Sequence, residues 1–321
     1  MMKSMGMSVA VLCGVLASAA FAQDYPSKSV RVVVPWAAGG STDSIGRILA
    51  AKLTEYNGHQ FIIDNRAGAT GTIGHLLVAK SPPDGYTLLI GSNSTFAIAP
   101  HLYKLQYDND SSFAPIELLA VSPQILSVHP STPVKNVKEL IALAKAQPGA
   151  LVFSSAGPGS TSHLATELLM NTAGLKMIHV PYKGGGPSAQ ALLGGETMLS
   201  FVDVITALPF AKAGRLRPLA ASTTRRSAMM PELPTISESG LKGFESSTTF
   251  AAFAPAGTSR EIVAKLNKDI TRALNAPDVK EKLFNQGIET VGGTPEEFVA
   301  YNKAESAKWG KVIREQGIKI E

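Results

Sequence analysis

Val30-Arg31-Val32-Val33-Val34-Pro35-Trp36-Ala37-Ala38-Gly39-Gly40-Ser41-Thr42-Asp43 is the stretch on which the fold turns. Val30 to Val34 is an apolar, β-branched run of the length of a buried strand. Pro35 to Asp43 follows as a loop rich in glycine and hydroxyls, and Ile45, Ile48, Leu49 and Leu53 then recur at helical spacing. A strand feeding through such a loop into a helix is the repeating unit of an α/β sheet. A distant stretch rhymes with it. Leu151-Val152-Phe153 reads as a strand, Ser154-Ser155-Ala156-Gly157-Pro158-Gly159-Ser160-Thr161-Ser162-His163 as the loop, and Leu164 to Thr172 as a helix stopped by Gly174.

Outward from these two units the alternation continues. Phe61-Ile62-Ile63, Tyr86 to Ile90 and Met177 to Val180 read as strands, and Val137 to Ala146 as a helix ended by Pro148-Gly149. The spacing predicts an α/β protein with mostly parallel sheets. The C-terminal part turns helical. Thr258-Ser259-Arg260-Glu261 and Thr294-Pro295-Glu296-Glu297 read as capping boxes, the second opening a helix whose apolar stripe is Phe298, Tyr301, Trp309, Val312 and Ile313. With 321 residues, two lobes are expected: 23–120 plus 251–321 as the first and 121–250 as the second.

The segment before the first lobe has a signal-peptide pattern. Lys3 supplies a positive start, Met5 to Ala20 is small and apolar, and Ala20-Phe21-Ala22 fits a peptidase site, so residues 1–22 are expected to be removed. The apolar run is short for a membrane span. Cys13, the only cysteine, lies inside it and follows Leu12 rather than a small residue, so no lipid anchor is expected. The exported chain then has no disulfide, no thiol nucleophile and no Cys-ligated metal.

Loops before helices present unpaired backbone N–H groups and the positive end of the helix dipole, which suits anions. Four have this character: Pro35 to Asp43, Gly91-Ser92-Asn93-Ser94-Thr95, Ser154 to His163, and Lys183-Gly184-Gly185-Gly186. In open α/β sheets ligands sit beyond the carboxyl ends of strands. Two such loops facing across a cleft would suit a ligand that is anionic at both ends. The ordinary alternative is that these are simple connections and that Ser41, Asp43 or Ser160 is only a helix N-cap. Trp36 reads equally as a cleft wall or as core, and Asp43 as a ligand contact or a cap.

Enzyme chemistry finds little footing. Gly157-Pro158-Gly159-Ser160-Thr161-Ser162 lacks the lysine of a P-loop and the third glycine of a dinucleotide fingerprint, and no G-x-S-x-G elbow occurs. The six histidines have no paired metal-ligand spacing. His163 is imaginable as a base for Ser160 or Ser162, but it also suits a hydrogen-bonding place at a helix start. Neither metal nor cofactor is expected. The formal charge of +5 is spread along the chain, and the only adjacent arginines are Arg225-Arg226, so no nucleic-acid surface is expected.

The order of several segments resembles one known family. Pro26-Ser27-Lys28 and Val34 to Asp43 resemble the opening of Bug proteins, the substrate-binding proteins of tripartite tricarboxylate transporters. Asp64-Asn65-Arg66-Ala67-Gly68, Pro83 to Leu89, Ser155 to His163, Val180-Pro181-Tyr182-Lys183-Gly184, Pro234 to Gly240 and Pro255-Ala256-Gly257-Thr258 are similar too. The resemblance implies a two-lobed periplasmic binding protein fold, type II-like, with the ligand in the inter-lobe cleft and a membrane partner of two subunits. It implies that Trp36, Ala37, Ala38, Gly40, Ser41 and Asp43 cradle one carboxylate. Ser92, Asn93, Ser94, Thr95, Ser155, Ala156, Gly157, Ser160 and Ser162 would meet the other end; His163 and Lys183, in loops of the same character, are further candidate ligand contacts. One departure stands out. Where the family often has Phe-Asp-Asn, this chain has Phe201-Val202-Asp203, so the place of Asp203 is open. Trp36, Phe96 and Val202 are expected to form an apolar middle.

The expected protein is thus a monomeric periplasmic solute-binding protein, not an enzyme. It would capture a small carboxylate, foremost a dicarboxylate with an aliphatic or aromatic spacer such as terephthalate, for a tripartite tricarboxylate transporter. A sensory binding protein serving a receptor kinase, and a hydrolase using Ser160 and His163, are the alternatives.

Overall fold

The computed structural model describes residues 25–226 and 230–320; the expected signal segment, with Cys13, lies outside them. Strand β1 (Val30–Val34) pairs in parallel with β2 (Phe61–Asn65) on one side and β3 (Thr87–Ser92) on the other. Helix α1 (Ser41–Asn57) crosses between β1 and β2 and lays Ile45, Leu49 and Leu53 on the sheet, each at most 3% exposed. Burial of such a side chain stabilises by about 1.5–3 kcal/mol. The helix stops where Gly58 turns left-handed, at φ 68°, and returns its N–H to Thr54 O. A short helix α2 (Thr72–Ala79) leads into β3.

The connection between halves is a 16-residue strand, β4 (Phe113–Val128). Beyond it lie α3 (Val137–Ala146), β5 (Val152–Ser155), α4 (Thr161–Ala173), β6 (Ile178–Pro181), α5 (Gly185–Leu193), β7 (Leu199–Asp203), α6 (Val204–Lys212) and β8 (Arg217–Ala221). The chain returns through β9 (Ser247–Pro255) and closes with α7 (Arg260–Asn275), α8 (Pro277–Asn285), β10 (Glu289–Thr290) and α9 (Pro295–Glu315). The strand order is β2-β1-β3-β9-β4-β7-β5-β6. From Phe113 to Pro123, β4 pairs with β9; from Gln124 to Val128 it pairs with β7. One strand therefore belongs to both halves of a single curled sheet.

The expectation of mostly parallel sheets holds only for the flanks. β5 is parallel to β6 and β7, but β9 is antiparallel to β3 and β4, and β4 to β7 and β8. The reason is topological: each crossing strand enters a half that already has its own βαβ direction, and it enters against it. Register shifts at Pro115/Glu117 and Leu118/Ala120 bend β4 as it passes.

The capping signals differ in outcome. Thr294 and Glu297 form the full reciprocal box expected for α9. At α7 the cap is Ser259, which accepts from Ile262 N, while Thr258 turns back to donate to Pro255 O; the cap is displaced by one residue, and with Ile262 at the third helical position the expected reciprocal box does not form. Helix α9 then spans both halves: Phe298 packs with Phe96 and Phe253, and Trp309 with Leu164 at the start of α4.

Candidate functional site

Helices α1, α4, α5 and α6 all begin at one place. Gly40, the N-cap of α1, Ser160, the N-cap of α4, Gly185, the first residue of α5, and Asp203, the N-cap of α6, line a single chamber of about 40 Å³. Its walls also hold Trp36, Ser41, Thr42, Ser92, Ser94, Gln124, Ala156, Thr161, Ser162, Phe201, Val202, Thr206 and Thr248. The lining includes nine hydroxyls, no lysine or arginine, and one carboxylate, Asp203. A second cavity of about 310 Å³ adjoins it, sharing Trp36 and Ala156 as walls and adding Gly157, Pro158, Tyr182, Lys183, Thr70 and Tyr103. A larger hollow of about 720 Å³ between residues 100–115 and α9 shares no wall with the inner chamber. Its floor is core, Phe96 and Phe298 being 2% exposed, so position at the strand ends rather than size marks the candidate site.

The halves meet through short contacts. Ser41 Oγ donates to Asp203 Oδ2 at 2.6 Å, and Thr248 Oγ1 to Asp203 Oδ1 at 2.6 Å. Burial pushes the Asp203 carboxyl above its usual range, and the bonds from Ser41, Thr248 and Gln124 oppose that only in part. Ser94 Oγ lies 2.8 Å from Thr161 Oγ1 and accepts from Thr161 N at 3.0 Å. Ala37 N donates to Lys183 O at 3.2 Å. Thr70 Oγ1 donates to Pro158 O at 2.7 Å, and Tyr103 Oη reaches the same carbonyl. Thr70 holds φ 53°, a left-handed backbone that a β-branched residue seldom adopts, to make this contact. Where α1 and α5 meet there is no room for a side chain: a Cβ on Gly186 would lie 3.0 Å from Gly39 C and 3.1 Å from Gly40 N.

The residues expected at the site separate into three groups. Trp36, Gly40, Ser41, Ser92, Ser94, Ala156, Ser160, Ser162 and Asp203 line the inner chamber. Gly157 and Lys183 line the outer one. Ala37, Ala38, Asp43, Asn93, Thr95, Ser155 and His163 line neither. Asp43 braces the loop: it accepts from Gly39 N at 3.0 Å, Arg47 Nε at 3.0 Å and Asn65 Nδ2 at 3.0 Å, while Asn65 also donates to Trp36 O. Burial raises the Asp43 carboxyl, but bonds from Arg47, Gly39 and Asn65 outweigh it and hold the group below the usual carboxylate range. Asn93 is fully buried and ties Thr161 and Thr249 to Ser247 and Glu305. Thr95 Oγ1 closes on Ser92 O, and Ser155 Oγ lies 2.6 Å from His179 Nε2.

Two sequence expectations are corrected. The glycine-hydroxyl loop Gly91 to Thr95 is not a loop throughout: Gly91 and Ser92 extend β3, and Ser94–Ile98 is a single wide, π-helical turn. Phe96, on that turn, points into the core against Phe253 and Phe298, so the apolar side of the chamber is Trp36, Phe201 and Val202 instead. Thr42, Gln124, Thr161, Gly185, Phe201, Thr206 and Thr248 were not legible as site residues. Gln124 and Thr248 sit on the two crossing strands, which have no glycine-rich signal, whereas Thr161 and Gly185 lay inside stretches already singled out.

The Ser160–His163 pair is not a nucleophile and its base. His163 Nδ1 accepts from Gly159 N at 3.0 Å and its Nε2 faces Glu167 Oε1 at 3.4 Å. Ser160 Oγ accepts from His163 N and lies 3.1 Å from Ser162 Oγ, as an N-cap does. His163 stacks on His179 with centroids 4.2 Å apart, and burial, with the neighbouring His163 as a smaller cause, holds His179 down at about 3.

Comparison with known proteins agrees with this geometry. The solved structure of BugD, described as a periplasmic binding protein, superposes with TM-score 0.89 at 33% identity, covering 92% of this chain and 100% of that one. Rpa4515 of R. palustris, solved with adipate, gives TM-score 0.90 at 39% identity over 92% and 99% of the chains. MatC of Rhodopseudomonas palustris, solved with bound malate, gives 0.87 at 32% over 90% and 100%. The fold is that of a periplasmic binding protein with a curled sheet. Residues 45–318 match the model of the tripartite tricarboxylate transporter family receptors. A curated relative from the tcbD-tcbE intergenic region of Pseudomonas sp. (strain P51) is 40% identical across 91% of this chain and 87% of its own. BugT of Bordetella pertussis is 35% identical across 95% and 94%. The chain belongs to the tripartite tricarboxylate transporter receptor family, a family of solute-binding receptors and not of enzymes.

Proposed function

We propose that this chain is a periplasmic receptor for a small dicarboxylate, which it closes upon and delivers to the membrane subunits of a tripartite tricarboxylate transporter. The observation that supports the ligand class is the start of α1. No protein acceptor among the described residues takes the N–H groups of Ser41 or Thr42, and these two residues line a chamber of hydroxyls and three further helix starts. Such amides at the positive end of a helix favour a carboxylate. Adipate and malate in the two structurally similar receptors support the same class. We further propose that the lobes divide in the crossing strands, near Val121 and Phe250, that residues 1–22 direct export, and that the receptor acts as a monomer. In this structure the lobes are in contact and the inner chamber is below the roughly 300 Å³ of a usual ligand pocket, so entry requires them to part.

The test is thermal unfolding of protein stripped of ligand by denaturation and refolding, against mono-, di- and tricarboxylates. At a hundredfold excess over Kd a bound ligand adds about 2.7 kcal/mol, a shift of several degrees. A shift with dicarboxylates that exceeds that of their monocarboxylate analogues is expected. No shift with any carboxylate would overturn the reading.

A further inference from the structure

We infer that the cleft measures the length of its ligand: it takes an elongated α,ω-dicarboxylate, with one carboxylate at the start of α1 in the inner chamber and the other beside Lys183 in the outer one, and Trp36 as the partition. This rests on the carboxylate reading above and adds to it where each end lies.

Three observations lead there. The first is volume. The inner chamber, at about 40 Å³, holds no more than a few waters, while the outer one, at about 310 Å³, reaches the lower end of the range for small-molecule pockets. A ligand whose first carboxylate fills the inner chamber needs room for its body, and the outer cavity is the adjoining space, with Trp36 and Ala156 as walls of both.

The second is charge. The single ionisable side chain of the inner chamber is Asp203, and it engages the Ser41 and Thr248 hydroxyls. The inner chamber therefore offers no cation to a second carboxylate. The outer chamber carries the cation. Lys183 lines it, and among the described residues no carboxylate lies within ion-pair distance of its ammonium group. The loop holding Lys183 is fixed by the bond from Ala37 N to Lys183 O, one residue beyond Trp36.

The third is an unmatched donor. The indole Nε1 of Trp36 is buried without an acceptor, and Trp36 is 6% exposed. A buried N–H without a partner costs about 1–3 kcal/mol. A donor on the wall common to both chambers is suited to an oxygen of a ligand that passes it.

Calorimetric titration of refolded protein with the straight-chain series from succinate to azelate, together with hexanoate, tests this. Affinity is expected to rise about tenfold or more from succinate to the six-carbon or longer diacids. Lys183 is exposed, so Lys183→Gln folds; it is expected to weaken the long diacids about tenfold, the scale of a charge-assisted hydrogen bond, and to leave hexanoate within about twofold. Trp36→Ala is expected to flatten the length dependence. Succinate binding as tightly as the longer diacids, with Lys183→Gln silent, would overturn the two-chamber assignment while leaving the carboxylate reading standing. If every carboxylate fails to bind, both fall.

Discussion

The loops Pro35 to Asp43 and Ser155 to His163 look alike in sequence, and both join a parallel strand to a helix at the chamber, but they handle their backbone amides in opposite ways. In the second loop nearly every donor is engaged by the loop itself or its neighbour. Gly157 N donates to Ser155 Oγ, Ala156 N to Ser162 Oγ, Gly159 N to His163 Nδ1, Thr161 N to Ser94 Oγ and His163 N to Ser160 Oγ. In the first loop the N-cap is Gly40, which has no side chain to fold back, and Asp43 reaches outward to Gly39, Arg47 and Asn65. The first loop is therefore held from behind, with Gly39 N and Ala37 N engaged but the amides at the start of α1 free, and the second presents hydroxyls over a largely satisfied backbone. An anion is better held by the former, because unpaired N–H groups and the helix dipole act together there.

The largest expected effect comes from placing a side chain between the two helix starts. Gly186→Val would press on Gly39 and Gly40 and stop closure; affinity for a dicarboxylate is expected to fall about ten- to hundredfold by calorimetry, from the 1–3 kcal/mol typical of overpacking. Unchanged affinity would mean the loops do not need to touch. Next is Asp43→Ala, which removes the brace of the first loop. Stability is expected to drop by about 2 kcal/mol in urea titrations, with affinity about tenfold weaker. Its pH dependence has a defined sign. The folded-state carboxyl lies below the ordinary Asp value of about 3.9, so this contribution is present above that pH and is lost as pH falls through the folded value. The gap between wild type and Asp43→Ala should accordingly close only below about pH 4. The smallest effect is Ser160→Ala, which removes a cap worth about 1 kcal/mol and should weaken binding only a few-fold. Should Ser160→Ala harm affinity more than Asp43→Ala, the contrast between the loops is reversed and the second loop is the principal anion holder.

The flanks of the fold were legible because their signals are local. Val30 to Val34 and Ile45 to Leu53 show their periods within one window, and Thr294 with Glu297 reads as a cap three residues apart. The crossing strands were not. β4 contains Pro115, Glu117 and Pro123, residues that argue against a central strand, and it tolerates them through register shifts and through Thr271 Oγ1 donating to the buried Glu117. Within the site, glycine and hydroxyl density found the loops but not the directions of their side chains. Phe96 and His163 sit in site-like stretches and turn into packing, while Thr248 and Gln124 sit in none and face the chamber.

The sequence by itself determined that strands feed loops rich in backbone and hydroxyl donors at helix starts, that no lysine or arginine stands in the first of these loops, and that the family is that of the transporter receptors. Those properties reside in residue type and short spacing. Only the tertiary structure decided which donors are free. The amides at the start of α1 are open because Asp43 finds Arg47 and Asn65 behind it, and at the start of α4 Thr161 N is engaged because Ser94 arrives from the other half. A donor's availability depends on what else lies within about 3 Å of it, and that neighbour is set by how distant segments pack.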